Sequence, residues 1–479
     1  MEMREREFET KVQELKHSVL REVSTLAFDG NLTAGILDIP EKIIPGPEPH
    51  YRCCIYHERA VVSDRVKMAL GGDMANPGVV EVISTACDEC PVTAMEVGPS
   101  CRGCLANRCR HACPVGAITM ENHKAKIDHS KCIVCGRCMT ACPYSAIVKN
   151  QRPCERSCPA DAIHMRESDH KASIDPSKCI SCGTCTYACP FGAIMDKSWI
   201  VQAINMLKGS KQWKYHVYAV VAPAIAGQFA GVTLGQVVTG LKQLGFYGVR
   251  EVAEGADLTA NLEAKELAEK GSLYSSCCPA FVSYVEMHHP EQAKKISSTP
   301  SPMVMIARRI KEEDHEARVV FIGPCVAKKH EFRLGKTRGA VDCVLTFEEL
   351  DALFDSRNMD LSMLDETPLD DATSFARGFA TNGGVSAAVV QTLKEQNIDF
   401  DVKAAPCAGI AACKTAILKD AHGRPDGNFI EGMACEMGCI SGAGCLIRTP
   451  KNKASLNQYA KSATHTTIES VVDGRPSDQ

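Results

Sequence analysis

The sequence predicts a C-terminal domain of the α/β class, with mixed, largely parallel sheets covered by helices. A smaller α+β region organised by cysteines precedes it. Three observations predict this. Beyond Trp199, buried-strand patterns at His216–Val221 and Arg318–Ile322 alternate with helical ones at Val232–Leu244, Pro302–Glu312 and Ser386–Gln396. Such alternation marks a parallel sheet with helical crossovers. Of the 27 cysteines, 16 fall between Cys87 and Cys189, so the two regions are held together by different means. Three later cysteine stretches fall where strands are predicted to end, the place such sheets keep their ligands.

A chain of 479 residues has room for two or three domains. The composition divides it into an N-terminal helix and extension (1–84), the cysteine-rich region (85–200), the α/β domain (201–448) and a polar tail read as a surface extension (449–479). A net charge of −4 leaves no nucleic-acid footprint. No run of eighteen apolar residues exists, so no membrane span is expected. The stretch Met1–Phe8 is too charged for a signal peptide, which gives a cytoplasmic expectation.

Taken in order, residues 1–30 read as one helix. Phe8, Val12, Leu15, Val19, Val23 and Leu26 recur at steps of four and three, and Gly30 is the stop. Three heptads could form a coiled coil, but the repeat is too short to prove pairing, and the helix is read as docked on its own protein. Residues 31–50, with Pro40, Pro45, Pro47 and Pro49, read as loop. Cys53 and Cys54 have no ligand role in this reading, and neither do Cys343, Cys407, Cys413 and Cys445.

From Cys87 the chain becomes a cysteine ladder. Cys101-x2-Cys104-x4-Cys109-x3-Cys113-Pro114 comes first, and Cys132-x2-Cys135-x2-Cys138-x3-Cys142-Pro143 follows. Cys179-x2-Cys182-x2-Cys185-x3-Cys189-Pro190 repeats the pattern. A secreted disulfide framework is the alternative, but those chains are short. The spacing is that of bacterial two-cluster ferredoxins, in which three cysteines hold one 4Fe–4S cluster and the fourth ligates its neighbour. Crossed ligation gives Cys101, Cys104, Cys109 and Cys142 for one cluster, and Cys132, Cys135, Cys138 and Cys113 for a second. Cys179, Cys182 and Cys185 with Cys158 make a third. Cys87, Cys90, Cys154 and Cys189 are then left as a fourth set, as if one ferredoxin-like unit were inserted in another.

The α/β domain is organised around Ser275-Ser276-Cys277-Cys278-Pro279-Ala280-Phe281. Adjacent cysteines reach disulfide geometry poorly. Cys325 in Gly323–Lys329 and Cys435 with Cys439 in Glu431–Cys439 complete four thiolates with Cys278, the ligand count of a cubane. Cys277 is left over.

These stretches resemble the three signature motifs of FeFe-hydrogenases, and Phe379 with Asn382–Val385 resembles a family loop beside the active site. The resemblance covers residues 85–447. It implies a hydrogen-cluster, a cubane on Cys278, Cys325, Cys435 and Cys439. One of the last two thiolates bridges to a diiron unit carrying carbon monoxide, cyanide and a dithiolate amine. It further implies interconversion of H2 with protons and electrons, about four accessory 4Fe–4S clusters as the wire, a small ferredoxin or flavodoxin as electron partner, and cluster maturation proteins. The departures are Gly323 for methionine, Phe281 for tryptophan, Ala224 for serine, Met303 for glutamine, and Ala443 and Cys445 in a glycine-rich stretch.

For protons, the resemblance places Glu263, Ser297, Glu266 and Cys277 at relay positions, and Lys328 where it would hydrogen-bond cyanide or the amine. The helical pattern Asp257–Lys270 takes Asp257 as its cap and puts Glu266 on the apolar stripe of Leu258 and Leu262, with Glu263 on an adjoining face. Two other classes compete. A hydrogenase-like iron–sulfur assembly protein would lack the Cys277 thiol, and a hydrogen sensor would carry a further output domain.

Overall fold

The computed structural model describes residues 8–52, 54–88, 90–92, 94–213 and 215–473; Cys53 lies outside them. Two parallel sheets form the framework. In the first, Gly248–Glu251, His216–Val221, Ala317–Gly323 and Cys343–Thr346 lie side by side in that order. The second orders Leu273–Tyr274, Phe429–Met433 and Ala404–Ala408. Phe429–Met433 is buried along its whole length, as a central parallel strand covered on both faces must be. Ala317–Gly323 delivers Cys325 from its carboxyl end, Leu273–Tyr274 delivers Cys277 and Cys278, and Phe429–Met433 delivers Cys435. All three motifs therefore meet at one edge of the framework.

The helices Val252–Lys270 and Pro302–Glu313 cross so closely that a Cβ on Gly255 would lie 2.1 Å from the Pro302 carbonyl. Only glycine lets the two backbones touch there. Val252–Lys270 starts five residues before Asp257, so Asp257 is not a cap. It is buried mid-helix, where its carboxylate accepts from the Thr373 N–H (3.0 Å) and hydroxyl (2.6 Å). The core face is the opposite of the sequence reading. Ala253, Ala256, Ala260, Glu263, Ala264 and Leu267 point inward, while Leu262 is exposed and Glu266 sits at the edge. Small alanines let the neighbouring helix approach, and this packing outweighs the attraction of burying two leucines.

The N-terminal helix runs Lys11–Asp29, capped by the Thr10 hydroxyl and ended by left-handed Gly30 (φ 75°). Val19, Leu20 and Val23 join the apolar core of the first sheet, which docks the helix on the α/β domain. Residues 31–50, read as loop, contain short helical turns at Leu32–Gly35 and Ile39–Ile43. Pro40 is tolerated there because it stands in the first turn. The tail is a second correction. Residues 451–461 and 468–472 are helices that bury Leu456, Ile468 and Val471. Their apolar faces are one or two residues wide, too narrow to show in a polar sequence.

The cysteine-rich region is built of antiparallel pairs. Val80–Val82 pairs with Ile194–Asp196, and Ile163–Met165 with Ala172–Ile174. Ala94–Val97 pairs with Ile147–Asn150 and closes off residues 98–146, inside which Ile118–Glu121 pairs with Lys124–Ile127.

Candidate active site

The three motifs wall a cavity of about 100 Å³. Cys277, Cys278, Cys325, Cys435 and Cys439 line it together, and Lys328 is the one charged group among its lining residues. The rest of the wall is apolar, including Ala224, Met303, Phe379 and Met433. Burial and the neighbouring thiols push Cys325 and Cys435 well above the usual thiol range, and burial with the nearby Cys278 pushes Cys439 to about 12. Four thiols that repel one another's charge around one cavity, with no disulfide among them, form a donor set suited to a cationic iron–sulfur core. The residues fit the group the motifs imply.

Packing explains several departures from the motif pattern. A Cβ on Gly323 would lie 2.5 Å from the Phe321 ring, so that aromatic fills the space a methionine side chain would need. The Phe281 ring rests on Gly432, where a Cβ would come within 2.3 Å. Gly183, in the Cys182–Cys185 loop, sits against Val326 and Ala443, with an added Cβ 2.9 and 2.8 Å from theirs. The ferredoxin-like loop thus abuts the residue after Cys325, and Cys182 reaches the cavity wall itself.

Cys277 is pushed well above the usual thiol range by burial, then by the charges of Glu263 and Cys278. It therefore stays protonated at neutral pH. Glu263, fully buried, accepts through Oε1 from the Ser276 N–H and hydroxyl, both at 2.8 Å. Its Oε2 has no hydrogen-bond partner among the described residues. Burial lifts its carboxyl to about 7 despite the Ser276 bonds. Glu266 Oε2 accepts from the Ser297 hydroxyl at 2.6 Å, and its Oε1 pairs with Lys270 at 2.6 Å. Burial opposes the Glu266 charge, but Lys270, Ser297 and Ser298 prevail and hold the carboxyl near 2.

The expected relay residues fall into two groups, Cys277 beside Glu263 and Ser297 on Glu266. No hydrogen bond joins Ser297 to Glu263 among the described contacts. Ser276 is a partner the sequence reading missed, although its place beside Cys277 could have revealed it. Lys270 was missed too, since its role depends on the helix turn it shares with Glu266. Lys328 is buried, not a surface lysine. Its Nζ donates to Glu331 (2.7 Å), Ser301 Oγ (2.9 Å) and the Cys277 carbonyl (3.3 Å).

The folded pKa of Glu263, near 7, lies above the 4.5 of an ordinary glutamate, so this contribution to stability is complete below pH 4.5 and fades as pH rises through 7. A protonated-carboxyl infrared band is expected to vanish with a midpoint near pH 7 and to be missing from Glu263→Gln. A band that persists to pH 9 would refute the assignment.

In the cysteine-rich region the sulfurs gather in four groups. Cys109 feels Cys104 and Cys142, and Cys138 feels Cys132 and Cys135. Cys185 feels Cys182, Cys179 and Cys158, while Cys154 and Cys90 both feel Cys87 and Cys189. Cys113, Cys132, Cys135 and Cys138 line one small cavity, and Cys158, Cys179, Cys182 and Cys185 another. Backbone N–H groups donate to the sulfurs of Cys101, Cys113, Cys142 and Cys189 at 3.3–3.4 Å, a pattern that favours thiolates. Val134, a β-branched residue at φ 52°, and Ser181 at φ 57° carry the backbone strain of two tight wraps.

Residues 215–443 match the family described as the C-terminal domain of the iron-only hydrogenase large subunit. Residues 100–146 and 152–193 each match a 4Fe–4S dicluster domain. The chain is 29% identical over 380 residues to the periplasmic [Fe] hydrogenase large subunit of Nitratidesulfovibrio vulgaris, covering 67% of this chain and 86% of that one. To iron hydrogenase 1 of Clostridium pasteurianum it is 26% identical over 382 residues, 68% of this chain and 65% of the other. The cytosolic iron–sulfur assembly component 3 of Mus musculus is 25% identical over 229 residues, 38% of this chain and 48% of that protein. Among solved structures, an apo [FeFe]-hydrogenase of Chlamydomonas reinhardtii superposes with a TM-score of 0.47 at 22% identity, covering 58% of this chain and 96% of that one.

Proposed function

Since the chain belongs to the iron-only hydrogenase family, with the catalytic domain at 215–443 behind 4Fe–4S dicluster domains, we propose the following division of labour for its residues. The enzyme interconverts H2 with protons and electrons, two of each per H2. Cys278, Cys325, Cys435 and Cys439 would hold the cubane, and Cys435 or Cys439 would also help to hold the diiron unit. When bound, that unit supplies the metal site at which protons and electrons combine.

The observation that carries this reading is Cys277, a protonated thiol on the wall of the four-cysteine cavity with no ligand position to fill. It holds a proton at its sulfur and faces the reacting site. Glu263, near neutral in its titration, refills Cys277 from one side, with Ser276 fixing its Oε1 so that Oε2 stays open. Glu266 collects protons at the rim, where Ser297 hands them inward by rotating a hydroxyl that both donates and accepts. Lys328, anchored by Glu331 and Ser301, keeps one positive charge beside the cavity and presents its ammonium to anionic ligands of the diiron unit. The apolar wall keeps bulk water from the site.

Electrons travel through four accessory clusters on the sixteen cysteines of the ladder, with the Cys158/Cys179/Cys182/Cys185 group nearest the cavity. The electron partner is a small ferredoxin or flavodoxin, and maturation proteins install the diiron unit. Among the described residues no helix is long and apolar enough to cross a membrane. We read the protein as cytoplasmic, although one relative is named periplasmic.

Infrared spectroscopy of anaerobically matured protein is the test, because carbonyl and cyanide bands cannot arise from a cubane alone. Their absence from matured protein would favour the iron–sulfur assembly reading. Iron analysis should give about 22 atoms per chain, four accessory cubanes plus six at the active site. A value matching only two accessory cubanes would remove the clusters assigned to the outer ferredoxin-like unit.

A further inference from the structure

Buried cations in this fold are paired with carboxylates. Lys16 meets Asp196 and Glu348, Lys328 meets Glu331, Lys329 meets Asp196 and Glu349, and Arg377 meets Glu251 and Asp370. Arg152 and Arg65 break the pattern. Each is about as buried, at 3% and 2% exposure, yet neither has a carboxylate within ion-pair distance among the described residues. Arg152 donates to the carbonyls of Pro91 (3.4 Å), Cys90 (3.5 Å) and His170, and to the Cys87 sulfur at 3.9 Å. Arg65 donates to the Phe191 carbonyl (3.2 Å) and the Met195 sulfur (3.5 Å), and its Nε has no partner among the described residues. Its charge acts on Cys189. A Cβ on Gly192 would come 2.5 Å from its Nη2, so the backbone gives way to the guanidinium.

An unpaired buried guanidinium is costly. Two of them converge on one sulfur group, Cys87 and Cys189, from separate elements: Arg152 at the start of Pro153–Ser157 and Arg65 in Ile55–Ala69. None of the other three groups receives a hydrogen bond from an arginine or lysine among the described residues. The missing counter-charge is the cluster itself, whose thiolate-ligated core is anionic and gains one more negative charge on reduction.

We propose that Arg152 and Arg65 raise the reduction potential of the cluster held by Cys87, Cys90, Cys154 and Cys189, making it the first accessory cluster to accept an electron. The inference rests on the ligand reading given under Proposed function. A fixed positive charge a few ångströms away in a poorly screened interior favours the more negative redox state. The electron stored there comes singly from the carrier or from H2; no bond or proton changes at the cluster. Its position fits storage, because the helix Pro153–Ser157 that carries Cys154 packs on Thr184–Ala188, which carries Cys185 of the group nearest the cavity. H2 formation needs two electrons and one-electron carriers deliver them one by one, so a site one step from the cavity that holds the first electron keeps the enzyme ready for the second.

The test is an anaerobic redox titration of the matured enzyme followed by electron paramagnetic resonance, with iron content measured alongside. In the wild type, one accessory signal should appear before the other three. In Arg152→Gln and Arg65→Gln that signal should move to lower potential by at least tenfold in its reduction equilibrium, about 59 mV for one electron, with the other signals unmoved. Arg152→Lys should restore part of the shift. Full iron with an unmoved midpoint in both variants would overturn the proposal. If both variants lose iron, the wild-type order decides: one early signal supports the proposal, and accessory signals that titrate together overturn it. A wild type lacking one cubane of iron would instead bring down the ligand reading beneath it.

Discussion

Replacing Cys277 by alanine should lower turnover by about 10²–10⁴-fold, the range for removing a positioned proton donor, while the carbonyl and cyanide infrared bands stay in place. The two readouts separate because Cys277 stands at the cavity wall outside the proposed ligand set. Alanine removes the proton and leaves the four remaining sulfurs where they are. The thiol's pKa, raised by burial and by Glu263, means that it is loaded across the physiological range. Loss of activity should therefore be as severe at pH 6 as at pH 8. Cys277→Asp should recover part of the rate, since a carboxylic acid can donate over a similar reach. Glu266→Gln should resemble the alanine variant, because an amide cannot pass a proton to Ser297. Wild-type turnover in Cys277→Ala would mean that protons enter by another route.

Cys278→Ala should have the opposite signature. Activity and the carbonyl and cyanide bands should both disappear, and iron content should fall by about six atoms, the whole hydrogen-cluster. Three thiolates leave one iron of the cubane open, and the remaining thiol beside it on the cavity wall, Cys277, is held protonated by burial and by Glu263. The accessory clusters should remain visible, since their ligands come from a separately paired part of the chain. Retention of the infrared bands in this variant would show that Cys278 is not a ligand and that Cys277 has taken its place.

The amino-acid sequence by itself determined what depends on spacing along the chain. Loops of two and three residues between cysteines can wrap only a compact metal core, and the Cys-Pro endings fix where each wrap stops. Parallel strands such as His216–Val221 were legible because they run nearly unbroken in apolar residues into a buried carboxyl end. The helix read at Val232–Leu244 was legible in its apolar pattern, and the structure starts it at Leu234, where Thr233 and Gln236 cap it reciprocally.

Only the tertiary structure decided which face of Val252–Lys270 is inside. Alanine and leucine patterns are both compatible with a core, and the close crossing at Gly255 selects the smaller one, turning Glu263 inward and Leu262 outward. The Ser276 bond to Glu263, the docking of the polar tail through Leu456 and Ile468, and the approach of Arg152 to Cys87 across 65 residues are of the same kind. Each joins groups whose separation along the chain carries no periodic signal. The physical reason is that ligand spacing is a local property of the backbone, whereas the charge and packing around a ligand are set by whatever the rest of the fold brings against it.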